Sequence, residues 1–291
     1  MTMSFEKLHE IADCALERHI PFWKVILEDD CTERNISAEE SFETMRRMYR
    51  AMKEADEAYD AELRSASGMA GGDGAKLEQF RMQGSHLVGD YLSEVMEKAV
   101  KMAESNACMR RIVAAPTAGS CGVIPAVLLT YEKQKGTEED RMVEALFVAA
   151  GIGEVIAASA SIAGAEGGCQ AEIGSASAMA AGSVTYLENG GEEDIVHAAA
   201  LALKNMLGLT CDPVAGLVEV PCIKRNVSGA VNAVISAQMA LAGIRSVIPP
   251  DEVIDSMRRI GKLLPACLRE TSQEGLATTP TGQQAAKRMR G

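Results

Sequence analysis

Apolar positions along the chain recur at the three-to-four-residue spacing of amphipathic helices, and strict apolar/polar alternation is almost absent. Ser37-Ala38-Glu39-Glu40 has the form of a capping box and predicts a charged, exposed helix running to about Leu63. A Gly/Ser loop follows at 65–74, then one long helix over 76–106. Beyond the loop 115–122, helical patterns resume near Val123 and again over 138–163, 171–187, 192–207, 227–247 and 251–264. Pro213, Pro221, Pro249, Pro250 and Pro265 fall at or near the gaps, where a missing backbone donor does no harm.

The helices between about 143 and 207 are rich in Ala, Gly and Ser. Small side chains let helix backbones approach closely, which suits the centre of a bundle with the charged early helices outside. The tail 271–291 is polar, extended at first and ending in a short helix. The expected fold class is therefore all-α, a single large helical domain over 1–291. Within it, 1–64 is a charged N-terminal helical segment and 65–291 the core and tail, with no linker between them.

Composition narrows the function classes. Hydrophobic residues make up 47% and charged residues 24% of 291 residues, enough for a sizeable core. A net charge of −12 argues against nucleic acid or anionic membrane as partner, since both demand clustered Lys and Arg. The first residues lack a basic stretch followed by an apolar one, so no signal peptide is expected and the protein is placed in the cytoplasm. There, eight cysteines read as reduced thiols or metal ligands rather than disulfides. The uncharged stretch 226–244 nearly reaches membrane-spanning length, but Asn226, Asn232 and Gln238 interrupt it and a buried core helix is expected.

The Gly-rich segment 65–76 lacks the phosphate-loop spacing, and Gly151 and Gly153 lack the third glycine of a dinucleotide fingerprint. The segment 65–74 is either a connector or a nest of N–H groups and hydroxyls that grips a carboxylate. Residues 116–122 form a turn feeding a helix N-terminus, where Thr117 and Ser120 either cap the helix or meet an anion. Cys121 in that turn is a candidate nucleophile. His9, His19, His86 and His197 share no metal-ligand spacing. His197 reads as a core histidine, and His86, after Gly84, is a weak general-base candidate in a place where the glycine suggests close approach.

Cys169, Cys211 and Cys222 stand at C-x41-C-x10-C spacing, each beside a helix breaker. Three thiolates on turns suit three corners of an iron–sulfur cube, but three small buried hydrophobes fit the same pattern, and spacing alone does not decide.

Five stretches carry a resemblance: SASGMAGGDGAK at 65–76, APTAGSCGVIPAVLL at 115–129, AGAEGGCQAEIGSASAMAAG at 163–182, GLTCDPVAGLVEVPCIKRN at 208–226 and LRETSQEGLATTPTG at 268–282. In this order they resemble the α subunits of iron–sulfur-dependent L-serine dehydratases. The fourth is the most specific, combining two cysteines, two prolines and an Arg-Asn pair at fixed offsets. The resemblance implies an all-α catalytic domain and a [4Fe–4S] cluster on Cys169, Cys211 and Cys222. It also implies a lyase converting L-serine to pyruvate and ammonia, with one iron left open as Lewis acid.

The same resemblance implies that Ser65, Ser67, Thr117 and Ser120 hold the substrate's carboxylate and amino groups, and that Arg225 and Asn226 lie near the cluster. From residue types alone, Arg225 reads equally as a surface cation and Asn226 as a cap for the next helix. Single-chain relatives carry an additional α/β region that is not found here, so a separate β subunit is the expected partner, in an oligomer. Some relatives end in a cysteine that caps the fourth iron, whereas no cysteine follows Cys267 in this sequence. A related lyase for L-threonine or L-cysteine, a thiol enzyme built on Cys121, and a cluster-bearing redox sensor are the competing expectations. The catalytic base is not named by the sequence.

Overall fold

A computed structural model describes residues 5–84 and 87–290. Its thirteen α-helices are α1 (Leu8–Arg18), α2 (Phe22–Arg34), α3 (Ala38–Glu57), α4 (Asp73–Met82), α5 (Gly89–Ala107), α6 (Val123–Lys135), α7 (Glu139–Ser159), α8 (Gly164–Gly167), α9 (Ser175–Leu187), α10 (Glu192–Lys204), α11 (Cys222–Leu241), α12 (Pro250–Leu263) and α13 (Pro280–Arg290). Among the described residues there is no strand, only an isolated bridge between Cys211 and Arg269. The all-α expectation holds.

The small-residue helix α9 is the centre of the bundle, and all thirteen of its residues are buried. It packs against α6, α7, α10 and α11. Two hydroxyls of α9 reach backbone partners: Ser183 Oγ donates to the Ala145 carbonyl at 2.8 Å, and Ser177 Oγ donates to that of Gly229 at 2.8 Å. Asn232 Nδ2 donates to both Ser177 Oγ and the Ala202 carbonyl at 2.8 Å. Short side chains thus let one helix reach its neighbour's main chain. Around α9, fully buried Ile152, Ile156 and Phe147 each contribute about 1.5–3 kcal/mol relative to exposure. The charged first helices lie outside, as their composition predicts, with Leu8, Ile11, Phe22, Tyr49 and Met52 turned into the same core.

Helix α7 is long and apolar enough to cross a membrane, yet it packs against α2, α3 and α9 and is mostly buried within the protein. The uncharged stretch 226–244 falls largely on α11, whose buried face carries Asn226, Gly229, Ala230, Asn232, Ala233 and Ala237.

Several boundaries differ from the sequence reading. Ser37 caps α3 by accepting from the Glu40 amide at 3.1 Å, but the helix stops at Glu57, six residues early. Beyond it, Tyr59 Oη donates to Glu104 at 2.7 Å, and Asp60 takes the Glu62 amide at 2.9 Å in a local turn. The single helix expected over 76–106 is two, because Gly84 and Gly89 adopt left-handed φ values of +72° and +74°. Among the described residues nothing lies within 4 Å of the Cβ position at Gly84, and its φ serves the break between the helices. His86 lies outside the described residues. Helix α11 begins at Cys222, five residues before the expected start, because Pro221 can occupy the N-cap without an orphaned donor.

Candidate functional site

The three cysteines arrive from three directions. Cys169 follows the short helix α8 and opens a single π-helical turn, Gln170–Gly174. Cys211 lies on the irregular segment after α10. Cys222 is the first residue of α11. All three are buried, at 2%, 2% and 7% exposure, and free of disulfides. They lie close enough for Cys169 and Cys222 to oppose ionisation of Cys211. Burial is the larger cause: it pushes Cys169 up to about 11 and Cys222 to about 12, and Cys211 is raised as well.

Gln170 fastens two of these loops together. Its Nε2 donates to the Met257 carbonyl at 3.0 Å, its Oε1 accepts from the Gly208 amide at 2.8 Å, and its own amide donates to the Leu209 carbonyl at 3.1 Å. Arg225, one turn into α11, joins all three cysteine segments. Nη1 donates to the Thr210 carbonyl at 2.7 Å, Nη2 donates to Asp212 Oδ1 at 2.9 Å, and the guanidinium's charge bears on Cys169. Half-buried among these partners, it is a fixed cation of the site rather than a surface charge.

Asn226 is entirely engaged with main chain. Nδ2 donates to the Gly119 carbonyl at 2.8 Å and the Cys222 carbonyl at 2.9 Å, and Oδ1 accepts from the Gly122 amide at 2.8 Å. It caps no following helix; it ties the 117–122 turn to the start of α11. In that turn Thr117 and Ser120 lie 3.1 Å apart, Oγ1 to Oγ, around the 3-10 turn Ala118–Ser120.

Thr117 also donates from Oγ1 to Glu172 Oε1 at 2.7 Å, a residue the sequence reading passed over. Cys211 Sγ stands 3.9 Å from the other oxygen, Oε2. A Cβ on Gly119 or Gly164 would sit 2.9 Å from this carboxylate and would push it aside. Partly buried and near Glu270, Glu172 has its pKa raised, with desolvation the main cause.

Ser65 and Ser67 belong to a second group, next to the first. Ser65 Oγ donates to Glu219 Oε2 at 2.9 Å and Ser67 Oγ to the same oxygen, while the amides of Ala70 and Met69 donate to the two hydroxyls. Of the two readings left open for 65–74, the hydroxyls do hold a carboxylate of the chain itself, Glu219, three residues before Cys222. The far end of 65–74 holds another: the amides of Asp73 and Gly74 donate to buried Glu104 at 2.9 and 3.1 Å.

A C-terminal strap closes the site. The Cys211 amide donates to the Leu268 carbonyl at 2.8 Å, and the Glu270 amide donates to the Cys211 carbonyl at 2.7 Å. Ser272 Oγ donates to the Pro213 carbonyl at 2.5 Å, and the Leu276 amide to Asp212 Oδ2 at 2.8 Å.

Cys121 is not a nucleophile. It is completely buried between Ala55 and Met102, and desolvation pushes its thiol up to about 12, the reverse of what a reactive cysteine needs. The described histidines stand elsewhere: Nδ1 of His9 meets Asp251 at 2.7 Å, and that of His197 accepts from the Ser246 amide at 3.1 Å. His19 ends α1 in a left-handed conformation.

Among the described residues, no three His, Cys, Asp or Glu groups converge as ligands of one metal ion. Cys169, Cys211 and Cys222 are the thiols that could hold a group of several metal atoms, whose ligands need not meet at one ion.

Fold and site together define an all-α protein with a buried, three-thiol centre backed by an arginine and closed by a C-terminal strap. The family model for the serine dehydratase alpha chain matches residues 17–277. A probable L-serine dehydratase, alpha chain, of Bacillus subtilis is 44% identical over 287 residues, covering 99% of this chain and 96% of that protein. The L-serine dehydratase, alpha chain, of Peptoniphilus asaccharolyticus is 40% identical over 280 residues, 94% of each chain. L-serine dehydratase TdcG of Escherichia coli is 46% identical over 181 residues, 62% of this chain but 40% of its own length. The chain belongs to the serine dehydratase alpha-chain family.

Proposed function

We propose that the protein is an L-serine ammonia-lyase: it dehydrates L-serine to aminoacrylate, which tautomerises and hydrolyses to pyruvate and ammonia. The observation that carries the reading is the meeting of Cys169, Cys211 and Cys222, from separate segments, around the guanidinium of Arg225. That donor set fits an iron–sulfur cluster: all sulfur, buried and free of disulfides, with a fixed cation whose charge bears on Cys169. Bound there with one iron lacking a protein ligand, the cluster would supply a Lewis acid for the substrate's hydroxyl and carboxylate.

The chain's own residues do the rest. Arg225 offsets negative charge at Cys169 and keeps the three cysteine segments in one arrangement. Asn226 holds the 117–122 turn against α11, which places the Thr117 and Ser120 hydroxyls beside Glu172. Ser65 and Ser67 fix Glu219 and so the entry of the chain into Cys222. The buried setting keeps water from competing for the centre. Relatives described as alpha chains support a β subunit as partner, and the reduced cysteines suit a cytoplasmic enzyme.

The test is pyruvate formation from L-serine by protein prepared without oxygen. Activity that falls in air and returns with Fe(II) and thiol supports the reading. Turnover that survives oxygen and a chelator, or that depends on pyridoxal phosphate, overturns it.

A further inference from the structure

Glu172 is a carboxylate without a cation. Among the described residues no Lys, Arg or His forms an ion pair with it, and its two protein contacts are the Thr117 hydroxyl at 2.7 Å and the Cys211 thiol at 3.9 Å. The guanidinium of Arg225 is committed to Thr210 and Asp212. The other charge bearing on Glu172 is a second carboxylate, Glu270.

A partly buried carboxylate held this way is costly unless a positive partner arrives. The surroundings are arranged to keep it in place: glycines at 119 and 164 leave room for its oxygens and nothing more. It remains partly open, unlike the cysteines around it.

We infer that Glu172 seats the α-ammonium of the amino-acid substrate, beside the thiol centre. The assignment rests on the dehydratase reading and deepens it. A substrate with a carboxylate, a hydroxyl and an ammonium needs three receptors, and Glu172 is the residue of this site whose charge matches the third. Thr117 supports it, because its hydroxyl orients one carboxylate oxygen, while the other meets only the Cys211 sulfur, at 3.9 Å. Glu172 is thus a substrate-binding residue, and selectivity for amino acids over hydroxy acids follows from it.

The experiment compares Glu172→Gln with wild type in anaerobically prepared holoenzyme, measuring iron content, the KM for L-serine and calorimetric binding of 3-hydroxypropionate. L-serine carries the ammonium; 3-hydroxypropionate has the same carboxylate and hydroxyl without it. The expected result is full iron content, a KM for L-serine raised about 10- to 100-fold, as for loss of a charge-assisted hydrogen bond, and 3-hydroxypropionate binding unchanged. Glu172→Asp, which keeps the charge, restores part of the preference for L-serine. An equal KM for L-serine in wild type and Glu172→Gln overturns the assignment. So does a variant that loses iron, or whose KM for L-serine and affinity for 3-hydroxypropionate worsen alike, since Glu172 would then be structural. Failure of wild type to form pyruvate from L-serine overturns the dehydratase reading instead, and this one with it.

Discussion

Arg225 and Asp212 form the hinge pin between the thiol centre and the C-terminal strap: Nη2 donates to Oδ1 at 2.9 Å, while Oδ2 of the same carboxylate takes the Leu276 amide at 2.8 Å. One buried carboxylate therefore transmits the position of α11 to the tail that flanks Cys211. Cutting either contact should loosen the strap that pairs with the Cys211 backbone, next to Asp212.

Arg225→Met leaves Asp212, whose side chain is 6% exposed, without its counter-charge. Breaking a buried pair from one side costs about 3–5 kcal/mol. The expected outcome in urea denaturation is a loss of that order, with lower iron content in the purified protein. Arg225→Lys keeps the charge but not the fork that serves Thr210 and Asp212 together, and should fall between.

Gly275 adopts φ +67°, and a Cβ there would lie 2.5 Å from Asp212 Oδ2. Gly275→Ala should lift the strap from Asp212 and make the 265–290 segment sensitive to limited proteolysis. Gly243→Ala, at φ +86° with nothing within 4 Å, meets backbone strain of about 1–3 kcal/mol without a clash and should leave the strap protected.

Cys121→Ala removes a completely buried thiol that does no chemistry. The expected result is unchanged iron content and pyruvate formation, with about 1 kcal/mol lost to the small cavity. In native wild-type protein, alkylation mapped by mass spectrometry should leave Cys121 unmodified. Its rapid modification, with loss of activity, would revive the thiol-enzyme reading.

Asp73 opens α4 and meets Lys224 of α11 at 2.5 Å and Lys76 at 2.8 Å, contacts that lower its pKa from 3.8 to about 2. A carboxyl depressed in the folded state adds stability above its unfolded value, and that stability is lost as pH falls through the folded one. The urea midpoint of wild type should therefore drop further between pH 4 and pH 2 than that of Asp73→Asn. The side chain is 37% exposed, so salt should shrink the difference.

The helical class was readable because periodicity and small-residue composition are local properties of the chain. Ser37 signalled the start of α3 for the same reason, and Pro221 and the run of glycines marked breaks. Encounters between distant segments were not readable. Thr117 meets Glu172 across 55 positions, and Ser65 meets Glu219 across 154. The one local hint of Glu172 was a charge set within an otherwise Ala/Gly-rich run, QAEIGSASA, where burial gives a carboxylate few reasons to persist. The 268–282 stretch carried the family resemblance but not its place in the site, since a polar tail that folds back on Cys211 reads like any other polar tail.

The cysteines carry the central claim, and anaerobic iron and sulfide analysis of single Cys→Ala variants tests it most directly. The account predicts that Cys169→Ala, Cys211→Ala and Cys222→Ala each lose the brown absorbance of iron-bound thiolate together with pyruvate formation from L-serine, while Cys14→Ala and Cys31→Ala keep both. Full colour and iron in all three site variants would contradict it.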